Sequence, residues 1–438
     1  MLSRRDLILY GLVILGPTAP YPVYGIVQEL SRGHAALGYL VAMVAVLFTA
    51  ASYGKMSGAF PLAGSTYTYV RRALHENVGF LAGWAMILDY LLIPLVSITY
   101  AALTAHRLLP AVPYAAWAVA FSAGVTLINI PGMRVTARAS EAMMAVMGFC
   151  AVTFVVLAVR YVIHAHGFGG LFDTAAILRP QTFAIRPLML GAGVAAISYI
   201  GFDAISTLAE DTINPKRDIG SATLIVCALQ TVICFVPVYL AALVWPDYRN
   251  FPEPDTAILD IGSRVGGAWM FNLLTFVLLV AGLASALASQ AGASRLLYGM
   301  GRDGVLSRRI FAHLDSRFST PARSIWLMGG LATAGSVFLR FEIAVELLNF
   351  GAFVGFILVN LSVIGHFFVR LHVRHGVALF TNLIFPACGA ASCGYLWMSL
   401  SLKAKVAGFI WLAMGAGYRA VITRGFRVAR KSPDSPRT

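Results

Sequence analysis

Charge is what this chain has least of. Only 12% of its 438 residues are Asp, Glu, Lys or Arg, roughly half the fraction expected of a soluble domain. The acids are scarcest, 19 against 33 basic residues. There are five cysteines (Cys150, Cys227, Cys234, Cys388 and Cys393), all in apolar segments and none at a metal-ligand spacing with histidine. They are expected to be packing residues, and no metal site is expected. No GxSxG, HExxH, phosphate-binding Gly-rich loop or paired CxxC occurs, and the nine histidines do not share a helix face. These absences argue against an enzyme and against a bound cofactor.

What is present is apolar residue, 59% of the chain with a mean hydropathy of +0.77, spread along its whole length. That pattern is an all-α polytopic membrane protein, because neither alternating strands nor open sheet edges suit lipid. Twelve candidate spans are counted, at 7–28, 36–58, 78–105, 114–131, 141–163, 187–210, 219–245, 268–299, 324–340, 344–369, 378–399 and 404–422. Arg4 and Arg5 precede the first apolar run, but no cleavage site follows, so a removed signal is not expected. The net charge of +14 belongs to cytoplasmic loops rather than to a nucleic-acid partner. With the N-terminus inside, the cytoplasmic segments hold Lys55, Arg71, Arg72, Arg134, Arg138, Lys216, Arg217, Arg308, Arg309, Arg370, Arg374 and a basic tail. The other side holds few, such as Arg32, Arg107, Arg249 and Lys403. Both termini are therefore expected in the cytoplasm of a bacterial-type inner membrane.

Two spans carry their own interruption. Span 1 runs into Gly16-Pro17-Thr18-Ala19-Pro20-Tyr21-Pro22, and three prolines in six residues do not fit an unbroken helix. A proline kink is the plainer alternative to unwinding. Span 6 contains Ile197, Ser198, Tyr199, Gly201, Phe202 and Asp203 before Glu210. An acid at mid-membrane normally faces protein or a water-filled path, and a helix interrupted there offers free backbone groups to a ligand. Breaks in spans 1 and 6 are what two inverted five-helix repeats would produce. The division expected is 1–163, 164–370, helices 11 and 12 in 371–423, and the tail 424–438.

The remaining polar residues in spans are ranked beside these. Asp89 in span 3 suits either a substrate contact or a structural hydrogen bond. Glu210 suits a gate or coupling role, and Glu141 and Glu346 look like interface caps. Ser285 and Ser289 lie on a small-residue stripe of span 8, which is mainly packing, with the two hydroxyls as possible cavity groups. The loop 246–267 is acidic and proline-rich, either a lid or a surface crossing. Break 1 offers N–H groups to a carboxylate and Asp203 an acceptor to an amine, so an amino acid or an organic amine fits both.

Several stretches resemble one family. They are LFTAASYGKMSGAFPLAGSTYTYVRRAL, GFLAGWAMILDYLLIP, SYIGFDAISTLAEDTINPKRDIG, ASRLLYGMGRDGVLSRRIFAHLDSRFSTPA and LLNFGAFVGFILVNLSVIGHF. In order and over nearly the whole chain, these are similar to the amino acid–polyamine–organocation transporters, most closely to putrescine-importer-like bacterial members. The resemblance implies a LeuT-like 5+5 inverted repeat with two added helices, working by alternating access. It implies a substrate between Gly16–Tyr21 and Ile197–Ala204, with Asp203 as the charged contact and Tyr199 or Phe202 as an aromatic gate. It also implies an acid in span 1, where this chain has Pro22; Asp89 would have to supply the second acceptor a diamine needs. Some proton-coupled members carry a lysine in span 5, absent here, so a proton route would use an acid such as Glu210. Sodium as coupling ion is left open, as are an exchanger of the same fold and a non-transporting membrane sensor.

Overall fold

The computed structural model describes residues 2–61, 65–131, 137–302 and 307–422. Arg134 and the tail 424–438 lie outside the described residues, as do the side chains of Arg138 and Glu141. All described regular structure is helical apart from one isolated parallel bridge, Leu2 to Thr212.

The chain begins with a capped helix, α1 (Arg4–Leu15). Ser3 and Asp6 close a capping box, in which Asp6 accepts from the Ser3 N–H at 2.8 Å while Ser3 Oγ accepts from the Asp6 N–H at 3.4 Å. The helix stops at Gly16, whose φ of +70° is costly for any residue with a Cβ. Turns and a short 3-10 segment, Tyr21–Val23, lead into α2 (Tyr24–Leu30). The first span is thus broken rather than kinked. Then come α3 (Ala35–Ala59), α4 (Ser65–Ala73), the long α5 (Glu76–Leu108) with Pro94 inside it, α6 (Tyr114–Asn129) and α7 (Ala137–His166).

Span 6 is broken as well. Helix α8 (Ile185–Ala195) tightens into 3-10 geometry over Ala196–Tyr199, turns at Gly201 with φ +113°, and continues as a 3-10 helix over Phe202–Asp211. Ten residues of 3-10 helix is far beyond the usual three or four, a mark of a hinge or of strain. Helices α9 (Pro215–Val244), α10 (Ala257–Arg302), α11 (Arg308–Phe311), α12 (Ala322–Phe338) and α13 (Phe341–Val363) follow, and then α14 (Val377–Leu379), α15 (Phe385–Ser399) and α16 (Leu402–Ile422). Eight stretches of the described residues are long and apolar enough to cross a membrane. Of the other four expected spans, the first is broken into two short helices, α6 and α12 have 16 and 17 residues, and α16 falls outside the eight.

Three expectations need correction. The segment 246–267 is not a plain loop, because it turns helical at Ala257 and bends only at Gly267, where φ is +65°. It also packs inward. Asp260 pairs with Arg107 of α5, and the Arg264 guanidinium sits 3.3 Å above the Trp245 ring centre. Glu346 is not an interface cap. It lies in the second turn of α13, buried, and accepts from the backbone N–H and the hydroxyl of Ser401, fastening α13 to the start of α16. Four of the cysteines are buried as expected, but Cys388 is exposed on α15.

The packing that positions the site has α3 lying along α9 and α8, while α5 lies against α10 and α13. The first pair approaches closely at Gly54 and Gly220, where a Cβ on Gly54 would meet Gly220 Cα at 2.6 Å. Small residues at such crossings let backbones touch where lipid supplies no hydrophobic drive. A second apolar cluster stands apart from the main core. It joins Leu7 and Leu15 of α1, Ile205 and Ala209 of the 3-10 segment, and Ile219, Ala222 and Val226 of α9. The first half of span 1 and the second half of span 6 are therefore one packed unit, clasped at its end by Leu2 N–H to Asp211 O (2.7 Å) and Ile213 N–H to Leu2 O (3.1 Å).

Candidate functional site

The two breaks face each other. The Ser198 hydroxyl donates to Ala19 O at 3.3 Å and lies 3.3 Å from the Tyr39 hydroxyl, which reaches Pro20 O at 3.3 Å. Gln230 of α9 donates from one amide nitrogen to Gly16 O (3.3 Å) and Ser198 O (3.1 Å). Breaking a helix strands its carbonyls, and in a bilayer interior each must find a donor within the protein. Here α3, α9 and span 6 supply those donors. Within break 1, Gly16, Ala19 and Tyr21 donate their N–H groups to Leu12, Gly16 and Thr18. Thr18 and Tyr21 are buried, and Pro17 and Ala19 half-buried.

The expected residues of span 6 make different contacts. Tyr199 is fully buried, and its hydroxyl donates to Tyr39 O at 3.4 Å, so it braces α3. Ile197 is half-buried beside it. Phe202 instead meets Tyr53 (ring centres 5.4 Å apart, 82° between planes) and Phe356 (5.1 Å), which places it among aromatic rings of α3 and α13. Tyr53 in turn touches Tyr69 of α4. Asp203 follows directly, 8% exposed, with its backbone carbonyl accepting from Ser206 Oγ at 2.6 Å, and Ser206 Oγ lies 2.9 Å from Ser65 Oγ.

Asp203 is not isolated. Tyr53 lies edge-on to Phe202, the residue before it, and Tyr69 packs against Tyr53. Asp89 is 6% exposed, and its Oδ1 is buried without a hydrogen-bond partner among the described residues. A pair of carboxylates in a low-dielectric interior is costly unless positive charge or donors reach both. Tyr10 and Tyr90 are exposed.

Other expected residues lie apart from Asp203. Ser285 is an accessible residue of α10 that accepts from Ser97 Oγ of α5 at 3.1 Å, and Ser289 donates to Ser285 O within its own helix at 2.6 Å. Ser97 is two helical turns along α5 from Asp89, so this pair belongs to the α5–α10 contact. Glu210 is exposed near the end of the 3-10 segment, beside the Leu2–Thr212 bridge. Sequence reasoning missed Gln230, Asn349 and Tyr39. Asn349 of α13 donates to Gly193 O (2.7 Å) and Val194 O (3.4 Å), carbonyls at the end of α8. A lone amide inside an apolar span was the available signal for both Gln230 and Asn349.

Two interrupted membrane helices that face each other, with buried acids in spans 3 and 6, define a multi-pass transport protein rather than an enzyme. Comparison with known proteins gives the same class. The amino acid permease family model matches residues 22–420, and the chain belongs to that family. It is 34% identical to the low-affinity putrescine importer PlaP of Escherichia coli K12 over 97% of this chain and 94% of that protein. It is 29% identical to the vacuolar cationic amino acid transporter 4 of Arabidopsis thaliana, over 83% of this chain and 62% of that one. It is 24% identical to the branched-chain amino acid permease BcaP of Bacillus subtilis, over 94% and 91%.

Proposed function

We propose that this permease imports a putrescine-like amine across the bacterial inner membrane by alternating access, coupled to protons. The observation that carries the reading is the acid pair. Asp203 sits at the Gly201 break and Asp89 on α5, both buried, and Asp89 Oδ1 has no hydrogen-bond partner among the described residues. A diamine has two ammonium groups, and a dication between two carboxylates turns their mutual repulsion into attraction at both ends. Tyr53, Phe202 and Phe356 add ring faces and edges that suit the intervening methylenes and a cation. The kinship to a putrescine importer over nearly the whole chain supports the same substrate class.

An amino acid is the second reading, favoured by the family and by two of the relatives above. It needs donors for a carboxylate. Three N–H groups of break 1 are already taken by turns, which is why the amine is preferred. An exchanger of the same fold remains the mechanistic alternative, and a non-transporting sensor the functional one. The proposal includes twelve spans with both termini cytoplasmic, a LeuT-like pair of inverted repeats at 1–163 and 164–370, helices 11 and 12 added after them, and Glu210 in the inner gate. Break positions and the basic-residue bias support it.

The test is uptake of labelled putrescine and of labelled amino acids into proteoliposomes. Asp203→Asn should lower diamine uptake about 10- to 150-fold, the loss of one charge-assisted contact of about 1.5–3 kcal/mol, with protein still in the membrane. Uptake at the wild-type rate removes Asp203 from the mechanism. Collapse of uptake on dissipating the proton gradient supports symport, whereas persistence that requires substrate inside the vesicle supports exchange.

A further inference from the structure

Gln230 does something the acid pair does not explain. Its side chain is fully buried in α9, and its amide nitrogen faces two carbonyls at once, Gly16 O at 3.3 Å and Ser198 O at 3.1 Å. Those carbonyls belong to different breaks. Gly16 ends α1 with φ +70°, and Ser198 lies three residues before Gly201, where φ is +113°. The orientation of the amide is fixed by chemistry. Turning it would set its oxygen against two other acceptors, while a primary amide has two N–H donors to satisfy both. The weak Cys234 Sγ contact at 3.5 Å is the remaining neighbour of that nitrogen. Unwound carbonyls that converge at mid-membrane are the groups that elsewhere hold a sodium ion.

We propose that Gln230 is a positioning residue that fastens the two helix breaks to each other, its amide nitrogen standing where a metal cation would otherwise bridge Gly16 O and Ser198 O. The inference rests on the transporter reading above. It has two consequences. Transport owes nothing to sodium at this point, and the two breaks keep their register while α1 and the 3-10 segment beyond Gly201 move. Asn349 serves the same chemistry about one turn earlier, donating to Gly193 O and Val194 O, so span 6 is held by one amide just before its 3-10 turn and by another within it.

The test uses full-length protein in NaCl and in choline chloride, with melting temperature and proteoliposome uptake read in parallel. Wild type should melt and transport equally in both salts. Gln230→Glu replaces two donors by a carboxylate beside two carbonyls, an oxygen set that invites a cation. Its melting temperature should rise in NaCl relative to choline chloride. Gln230→Ala should lower kcat about 30-fold, the cost of two ordinary buried hydrogen bonds, with KM changed less than about threefold. Gln230→Lys, which keeps donors at the carbonyls, should transport better than Gln230→Ala and stay indifferent to sodium. A sodium-dependent wild type overturns the proposal, as does a Gln230→Glu protein that ignores sodium or a Gln230→Lys protein no better than Gln230→Ala. If Gln230→Glu fails to fold, the lysine and alanine variants decide. The melting readout needs no transport, so wild type that carries no amine but shows the expected salt responses counts against the transporter reading alone.

Discussion

Gly201→Ala isolates what the helix 6 break costs. Gly201 has φ +113° and ψ −14°, a region that a residue with a Cβ enters at about 1–3 kcal/mol. The added methyl would also meet Ile14 Cγ2 at 2.6 Å. These two costs are separable. Ile14 is 38% exposed, and the clashing atom is the end of a mobile side chain, so it moves aside cheaply. The backbone term should dominate. At about 1.4 kcal/mol per factor of ten, the broken conformation should lose about 5- to 150-fold against its alternatives. Thermal unfolding of purified Gly201→Ala, Ile14→Ala and the double variant measures it. Gly201→Ala should be less stable than wild type, and adding Ile14→Ala should recover little. Gly201→Asn should fall between, since Asn tolerates a left-handed backbone better than Ala. A Gly201→Ala protein as stable as wild type refutes the reasoning, and full recovery in the double variant moves the cost from backbone to contact.

Other expectations follow from single contacts. Gly54→Leu should destabilise the α3–α9 crossing by about 1–3 kcal/mol, since its Cβ has backbone 2.6 Å away and nothing there can yield; loss of monodisperse protein in detergent is the readout. Trp84 and Trp411 stack at 4.9 Å, and each indole N–H donates to the other's carbonyl at 2.9 Å, so Trp84→Phe should cost about 1 kcal/mol and speed hydrogen exchange across 402–422. In detergent, a lipid-soluble thiol reagent should label Cys388 ahead of Cys150, Cys227, Cys234 and Cys393, and Cys388→Ser should remove the fast phase.

Much of this architecture was legible in the chain. Proline and glycine announce both breaks because their effect is local: a missing N–H at Pro17, Pro20 and Pro22, and positive φ at Gly16 and Gly201. Asp203 stands out because a charge in an apolar span is rare. What escaped depends on partners distant in sequence. Glu346 could be recognised as a link only by knowing that Ser401 lies against it. The helical start of α10 at Ala257 was hidden by the acidic, proline-rich residues before it, and its ion pair with Arg107 spans 153 positions. Phe202 rather than Tyr199 joins the rings near Asp203 because the extended Ile200 and the left-handed Gly201 turn the chain between them.

The Leu2–Thr212 bridge has a consequence for how the protein is made. The backbone groups that hold Leu2, Asp211 O and the Ile213 N–H, are synthesised about 200 residues after it. At about 5–20 residues per second, that is roughly 10–40 s of translation. Through that interval α1 has its own cap but neither its clasp nor the apolar partners Ile205 and Ala209. Helix α1 is therefore locked only after span 6 has been made. A nascent chain halted before span 6 should leave the start of α1 open to protease, and one halted well beyond Val244 should protect it.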